Sequence, residues 1–261
     1  MDSSLWVAKT GLDAQQRRMT VVANNLANVN TTGFKRDRAV FEDLLYQTLR
    51  QPGAQTDQNA NSPTGLVLGT GTRVVATEKI HSQGNMIQTD NALDLAVDGN
   101  GFLQILRSDG TMGYTRDGSL KLNNTGQLVN ANGNLLQPEV TIPNNARSIT
   151  IGKDGTVSVQ TFDQPAAQVV GNIQLANFIN PAGLQAMGGN MYVETAASGA
   201  AQVQVPSQNG AGSLVQGSLE SSNVNVVEAM VNMIETQRAY EVNSKAIAAA
   251  DGMLRFINNN L

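Results

Sequence analysis

Cysteine is absent from the 261 residues, so neither disulfides nor thiolate metal sites hold this fold, and the chain can enter an oxidising compartment without mispairing. Aromatic residues are scarce at 4%, while glycine is abundant at 25 residues; that balance suits many tight turns and thin β layers better than one thick core. Basic charge is not in excess. Seventeen Lys and Arg stand against 21 Asp and Glu, a formal charge of −4, with no basic stripe to release counterions from a phosphate backbone, which argues against nucleic acid as a partner. Long apolar runs are missing too. Lys9, Asp13, Arg17 and Arg18 interrupt the start before any run reaches signal-peptide length, and no other run approaches a membrane span. Neither a cleaved leader nor an anchor is expected, so export would need a route that reads another signal.

What is present is a seven-residue period at both ends. Leu5, Leu12, Met19 and Leu26 recur at that spacing, with Ala8, Val22 and Val29 on the adjoining position; this predicts a helix with one narrow apolar stripe, ending before Thr31-Thr32-Gly33. Val226, Met233, Tyr240, Ile247 and Leu254 repeat the design near the other end. Asn223 or Asn225 is the expected N-cap there, with Glu228 in the first turn where a carboxylate suits the helix dipole.

Between the helices the period falls to two. Ile149 and Ile151, the loop Gly152-Lys153-Asp154-Gly155, then Val157 and Val159 predict a hairpin, and Leu93, Leu95 and Val97 alternate with Asp94 and Asp98. Asp109-Gly110, Asp117-Gly118 and Asn132-Gly133 punctuate further short strands. The fold class is therefore mainly β with α-helical termini: the terminal helices form a coiled-coil-like layer and the centre is an elongated all-β domain. Its expected divisions are an assembly helix over 1–30, an extended or hairpin connecting region over 31–66, the β domain over 67–205, a return linker over 206–222 and a second assembly helix over 223–261.

No residue pattern announces catalysis. His81 is the single histidine, without a nucleophile signature or metal-ligand spacing beside it, and reads as turn or strand surface. Asp90, Asp94 and Asp98 lack the alternation and terminal Glu of a calcium loop, and Gly99-Asn100-Gly101 precedes β-type residues rather than a helix, so it reads as a turn. Neither metal nor cofactor is expected. Tyr240 and Arg238 read as packing with polar tips. Asn24, Asn25 and Asn28 are poor helix formers, costly unless they bond to neighbours; an inter-subunit role is the expectation, solvent exposure its alternative.

Two narrow-striped helices need partners in other copies of the chain, and a repeated contact that does not close generates a helix or tube. The rival reading is a secreted, β-rich carbohydrate-active enzyme, which would need two carboxylates converging in a cleft.

One family resemblance runs almost the length of the chain. Ala23-Asn24-Asn25-Leu26-Ala27-Asn28-Val29-Asn30-Thr31-Thr32-Gly33-Phe34-Lys35 resembles the N-terminal signature of flagellar rod and hook axial proteins. Ser222-Asn223-Val224-Asn225-Val226-Val227-Glu228, followed by Ile234 through Gln237-Arg238-Ala239-Tyr240-Glu241, is similar to that family's C-terminal signature. Asp94 through Phe102 and Tyr114-Thr115-Arg116-Asp117-Gly118 resemble its β domain. Within the family, Ser3-Ser4-Leu5-Trp6 with Lys9 through Gln16, and Phe41 through Tyr46 leading into Arg50-Gln51-Pro52-Gly53, look like the distal-rod branch rather than the proximal-rod or hook branches. The resemblance implies a structural subunit that polymerises through its terminal helices into a hollow, torque-transmitting shaft spanning the periplasm. It also implies partners: further copies of itself, proximal rod proteins, hook protein, the peptidoglycan and outer-membrane ring proteins, and the flagellar type III export apparatus.

Overall fold

The computed structural model describes residues 3–53, 55–57, 60–61, 63–162, 164 and 166–259. Met1, Asp2, Asn260 and Leu261 of the expected terminal segments, and Ala54, Gln58, Asn59 and Ser62 of the connecting region, lie outside the described residues. The chain divides into two units, one holding Met1–Ala27, Asp37–Lys79 and Asn225–Leu261, the other Asn28–Arg36 and Ile80–Val224. Both ends of the chain thus belong to the first unit.

In that unit α1 (Ser3–Ala27) and α2 (Val226–Asn259) pack against each other. The approach is close at Gly11, where an added Cβ would stand 3.1 Å from the Asn243 side-chain nitrogen. Asn225 starts α2: its side-chain oxygen accepts the amides of Val227 at 3.0 Å and Glu228 at 3.3 Å, satisfying two of the four amides that the first turn leaves over. α1 stops at Ala27, three residues short of the expected end. Asn28, Val29 and Asn30 are poor helix formers, and Asn28 instead accepts the Thr31 amide on its carbonyl at 3.1 Å and the Thr31 hydroxyl on its side chain at 3.1 Å.

Beside the helices runs an antiparallel ribbon of β1 (Asp37–Asp43) with β6 (Thr72–Lys79). Its register is marked by opposite charges at Asp37–Lys79, which is part-buried, and at the exposed pairs Arg38–Glu78 and Glu42–Arg73; exposed pairs contribute little stability each, but all three penalise a slipped register. The chain between them forms a second ribbon, β2 (Tyr46–Arg50) with β5 (Leu66–Gly69), and a shorter one, β3 (Gln55–Asp57) with β4 (Ala60–Asn61).

The second unit is all-β. It contains β7 (Met86–Gln88), β8 (Leu95–Asp98), β9 (Phe102–Leu106), β10 (Met112–Thr115), β11 (Lys121–Leu122), β12 (Leu128–Val129), β13 (Leu135–Gln137), β14 (Ala146–Ile151), β15 (Thr156–Thr161) and β16 (Gln168–Asn172). Then follow β17 (Leu175–Asn177), β18 (Gln185–Gly188), β19 (Met191–Val193), β20 (Gln202–Gln204), β21 (Ser213–Gln216) and β22 (Ser218–Glu220). The largest sheet among the described residues runs β11-β12-β13-β9-β10-β19-β18, with β17 joining β9 and carrying β20. Strand β9 is its centre. Phe102 enters an aromatic cluster with Tyr114, Phe178 and Tyr192, whereas Leu103 and Ile105 enter the aliphatic core on the other face; alternate residues serve opposite faces, as a strand's period of two requires.

The hairpin expected around residue 153 is present, with Ile149 opposite Val159 and Ile151 opposite Val157. Four loops, at Arg107–Thr111, Asn123–Gln127, Asn130–Asn134 and Gly152–Thr156, share one hydrogen-bond scheme in which the first residue's carbonyl accepts the amide of a glycine three positions on. Those glycines sit at φ between 80 and 85°, the left-handed position of a type I turn closed by a bulge, which carries no penalty without a Cβ. Leu95 to Val97 depart from the expected half-exposed alternation. All three are buried: Leu95 and Val97 enter the aliphatic core, and Ala96, pointing the other way in the strand, is covered as well.

Candidate assembly surfaces

The inner face of α2 is a row of small or polar residues seven apart: Ala229, Thr236, Asn243 and Ala250, the first two and the last buried and Asn243 half-buried. Thr236 spends its hydroxyl on the Asn232 carbonyl at 2.6 Å, which lets it be buried without an unpaired group. On α1, Ala14 and Val22 are buried, and Arg18 ties the pair by reaching Asn232 at 3.3 Å and Glu235 at 3.7 Å.

The apolar period expected as a seam flanks this inner row. Leu5, Leu12, Met19 and Leu26 on α1, and Met233 and Ile247 on α2, are half-buried; Val226, Tyr240 and Leu254 are exposed, as are Gln237 and Arg238. Val29 falls beyond the helix end, in the turn. Sequence reading missed the inner row because alanine, threonine and asparagine leave no mark in a hydrophobic period; their seven-residue recurrence is the signal that would have found it.

A second apolar set on α2 is left about half exposed or more among the described residues. Val227, Met230, Val231 and Ile234 are 70%, 51%, 50% and 48% exposed, within the first three turns. The β2–β5 ribbon and the residue before it are likewise apolar and exposed, at Leu45, Tyr46, Leu49, Leu66, Val67 and Leu68; a two-stranded ribbon with no covered face is marginal by itself in water.

The motif residues divide between the units. In the first, Asn25 is buried and brackets Asp37, donating to its carbonyl and accepting from its amide, both at 2.8 Å. Its partners are therefore in its own chain, unlike the inter-subunit role expected of it; Asn24 is exposed and Asn28 half-buried. In the second unit, Gly33 donates its amide to the Glu220 carbonyl at 2.8 Å and Phe34 accepts from the Asn223 amide at 3.4 Å. Asn223 is not the cap. Its side chain accepts the Arg36 amide at 2.7 Å and donates to the carbonyls of Ile80 at 2.8 Å and Ser82 at 3.0 Å.

Lys35 lies fully buried next to Glu220, also fully buried, at 2.6 Å, and Arg116, 4% exposed, meets the other carboxylate oxygen at 3.3 Å. Burial pushes both cations' pKa values down against the opposing pull of Glu220, as removal from water must for a charged base. This cluster was illegible in the sequence, because its members come from positions 35, 116 and 220 with no local pattern.

The candidates for chemistry are used structurally. His81 is half-buried, edge-on to Phe102 and Tyr192 at 5.5 Å each, rather than on a strand surface. Asp94 is buried too, its carboxylate accepting from Thr89 at 2.7 Å and Asn91 at 3.0 Å, and Asp98 accepts from Gln83 at 3.2 Å. The Gly99 carbonyl accepts from Arg116 at 2.7 Å. Among the described residues, no group of three or more His, Cys, Asp or Glu is placed to hold a metal ion, and no helix is long and apolar enough to cross a membrane.

One unit built on a long helical pair with uncovered apolar side chains, and another built of tightly paired strands, define a structural subunit of a polymer. Family models agree along the chain: "Flagella basal body rod protein" matches residues 5–35, "Flagellar hook protein FlgE/F/G D1 domain" residues 96–159, and "Flagellar basal body rod FlgEFG protein C-terminal" residues 215–260. The chain is similar to the flagellar basal-body rod protein FlgG of Buchnera aphidicola from Acyrthosiphon pisum, 52% identical with 98% of each chain covered. It is similar also to the proteins of that name from Caulobacter vibrioides, at 48% over 97% of each chain, and Bacillus subtilis, at 36% over 98% of each. The chain therefore belongs to the family of flagellar hook and basal-body rod proteins. It is a structural subunit of the distal rod of the bacterial flagellar basal body.

Proposed function

We propose that copies of this chain polymerise through α1 and α2 into a helical tube, each copy covering the outward apolar set of α2 on the next. The observation that carries this reading is Val227, Met230, Val231 and Ile234, all about half exposed or more although α2 already has an intramolecular partner. Apolar surface of that kind contributes roughly 25 cal/mol per Å² when covered, and a contact that repeats without closing extends indefinitely. The seam residues Leu5, Leu12, Met19, Val22, Leu26, Val226, Met233, Tyr240, Ile247 and Leu254 then serve both the pair and its lateral neighbours, while Val29 shapes the turn after α1. Neighbouring rod and hook proteins adjoin the ends of such a tube. The ring proteins of the peptidoglycan and outer membrane surround it, and the type III apparatus delivers it; the absence of cysteine suits that destination.

The β2–β5 ribbon is the second contact, laid on a neighbouring copy that covers Leu45, Tyr46 and Leu49. The substitution Val231→Cys tests the first. Because the chain has no cysteine of its own, the thiol of this variant should react freely with a maleimide in the monomer and be protected in assembled rods; rods in which the introduced thiol stays fully reactive would remove α2 from the interface.

A further inference from the structure

The buried cluster of the second unit places two cations on one carboxylate. Lys35 Nζ donates to Glu220 Oε1 and to the Ser82 carbonyl, at 2.6 and 2.8 Å. Arg116 donates to Glu220 Oε2 at 3.3 Å and to the carbonyls of Val97 at 3.2 Å and Gly99 at 2.7 Å, with its guanidinium 5.3 Å from the centre of the Phe102 ring. The Gly84 amide completes the shell of Glu220 at 2.8 Å. The three side chains come from parts of the chain separated by 185 and 104 residues.

Charge makes the three partners unequal. Removing either cation leaves a one-to-one pair, and the Ser82 carbonyl would keep a donor in Asn223. Removing the carboxylate leaves two buried cations that repel each other, a repulsion already felt at Lys35; unpaired charge in the interior is among the costliest defects a fold can carry. Glu220 also lies late in the chain, on β22, whose pairing with β7 and whose carbonyl bond from Gly33 form only when that segment arrives.

We propose that Glu220 is the closing residue of the β unit, locking the segment that follows α1 in sequence, residues 28–36, to the segment that precedes α2, residues 218–224, and doing so by its charge. A chain whose last strands have not arrived leaves Lys35 and Arg116 without their shared counterion, so residues 33–36 stay open and the β unit stays incomplete. Delivery of the C-terminal strands finishes the unit at the moment α2 becomes available.

The test compares full-length Glu220→Gln, Lys35→Met and the triple variant Lys35→Met, Arg116→Met, Glu220→Leu by amide hydrogen exchange at Gly33 and Asn223, whose acceptors are backbone carbonyls. Glu220→Gln should accelerate exchange there by on the order of 100-fold, Lys35→Met by about tenfold or less, and the all-apolar triple variant should return to within about tenfold of the parent. Should Glu220→Gln fail to fold at all while the triple variant folds, the proposal stands. Equal damage from Lys35→Met and Glu220→Gln would overturn it, as would a triple variant as loose as Glu220→Gln, since either result assigns the effect to shape rather than charge.

Discussion

Gly33 is a motif residue whose identity the backbone geometry constrains. Its φ is +68°, and an added Cβ would stand 2.7 Å from both the Arg116 carbonyl carbon and the Asp117 amide nitrogen. Backbone atoms cannot swing aside as a side-chain tip can, so Gly33→Ala should cost at least the 1–3 kcal/mol or so of a strained backbone position. It should lower the thermal transition of the β unit; a transition unchanged within error would show that the turn relaxes freely. Asp154 allows a pH prediction. Hydrogen bonds from the Thr156 hydroxyl and then its amide hold the carboxyl below the usual value of 3.8. A folded value below the unfolded one means that the bonds support the hairpin fully above pH 3.8 and lose that support as pH falls through the lower, folded value. A carboxyl titration followed by NMR should find the Asp154 midpoint below 3.8 and shift it back toward 3.8 in Thr156→Val.

At the scale of elements, what repeats within one segment was readable and what is shared between segments was not. Leu5, Leu12, Met19 and Leu26 announce α1 because a helix returns every seven residues to nearly the same side, and Ile149 to Val159 announce a hairpin because turn chemistry and alternation sit side by side. The inner row of α2 escaped notice because contact there is made by small side chains, for which close approach matters more than hydrophobicity. The order of the large sheet escaped for another reason: β9 pairs with β13 and β17, partners more than 25 residues away, and nothing local records a distant partner. The β2–β5 ribbon stands between these cases, since an extended or hairpin region was expected over 31–66 but the partner of its apolar residues, proposed here to be a second copy, lies outside the chain. Replacing residues 47–68 by a short type I′ turn should leave the thermal transition of the β unit in place and yield polymers that bend under electron microscopy. Straight polymers of normal stiffness from that variant would mean that the ribbon carries no inter-subunit contact.

For the whole molecule, the inner and outer faces of the helical pair carry different duties and can be separated by experiment. Val22 is buried on α1, which packs against α2, whereas Val231 is half exposed on α2. An aspartate at Val22 must lose its hydration within the pair, so Val22→Asp should loosen α1 from α2, seen as faster amide exchange along both helices, and should abolish polymerisation as a consequence. An aspartate at Val231 stays in water while the protein is monomeric; Val231→Asp should leave helix exchange and the β-unit transition at parent values yet slow or stop polymerisation, because the charge is desolvated only when a neighbour covers it. The two variants together decide between assembly through the outer face and assembly through exchange of helices between copies. Normal polymers from Val231→Asp would refute the outer-face contact, and normal polymers from Val22→Asp would show that the intramolecular pair is not the form in which the subunit is built into the rod.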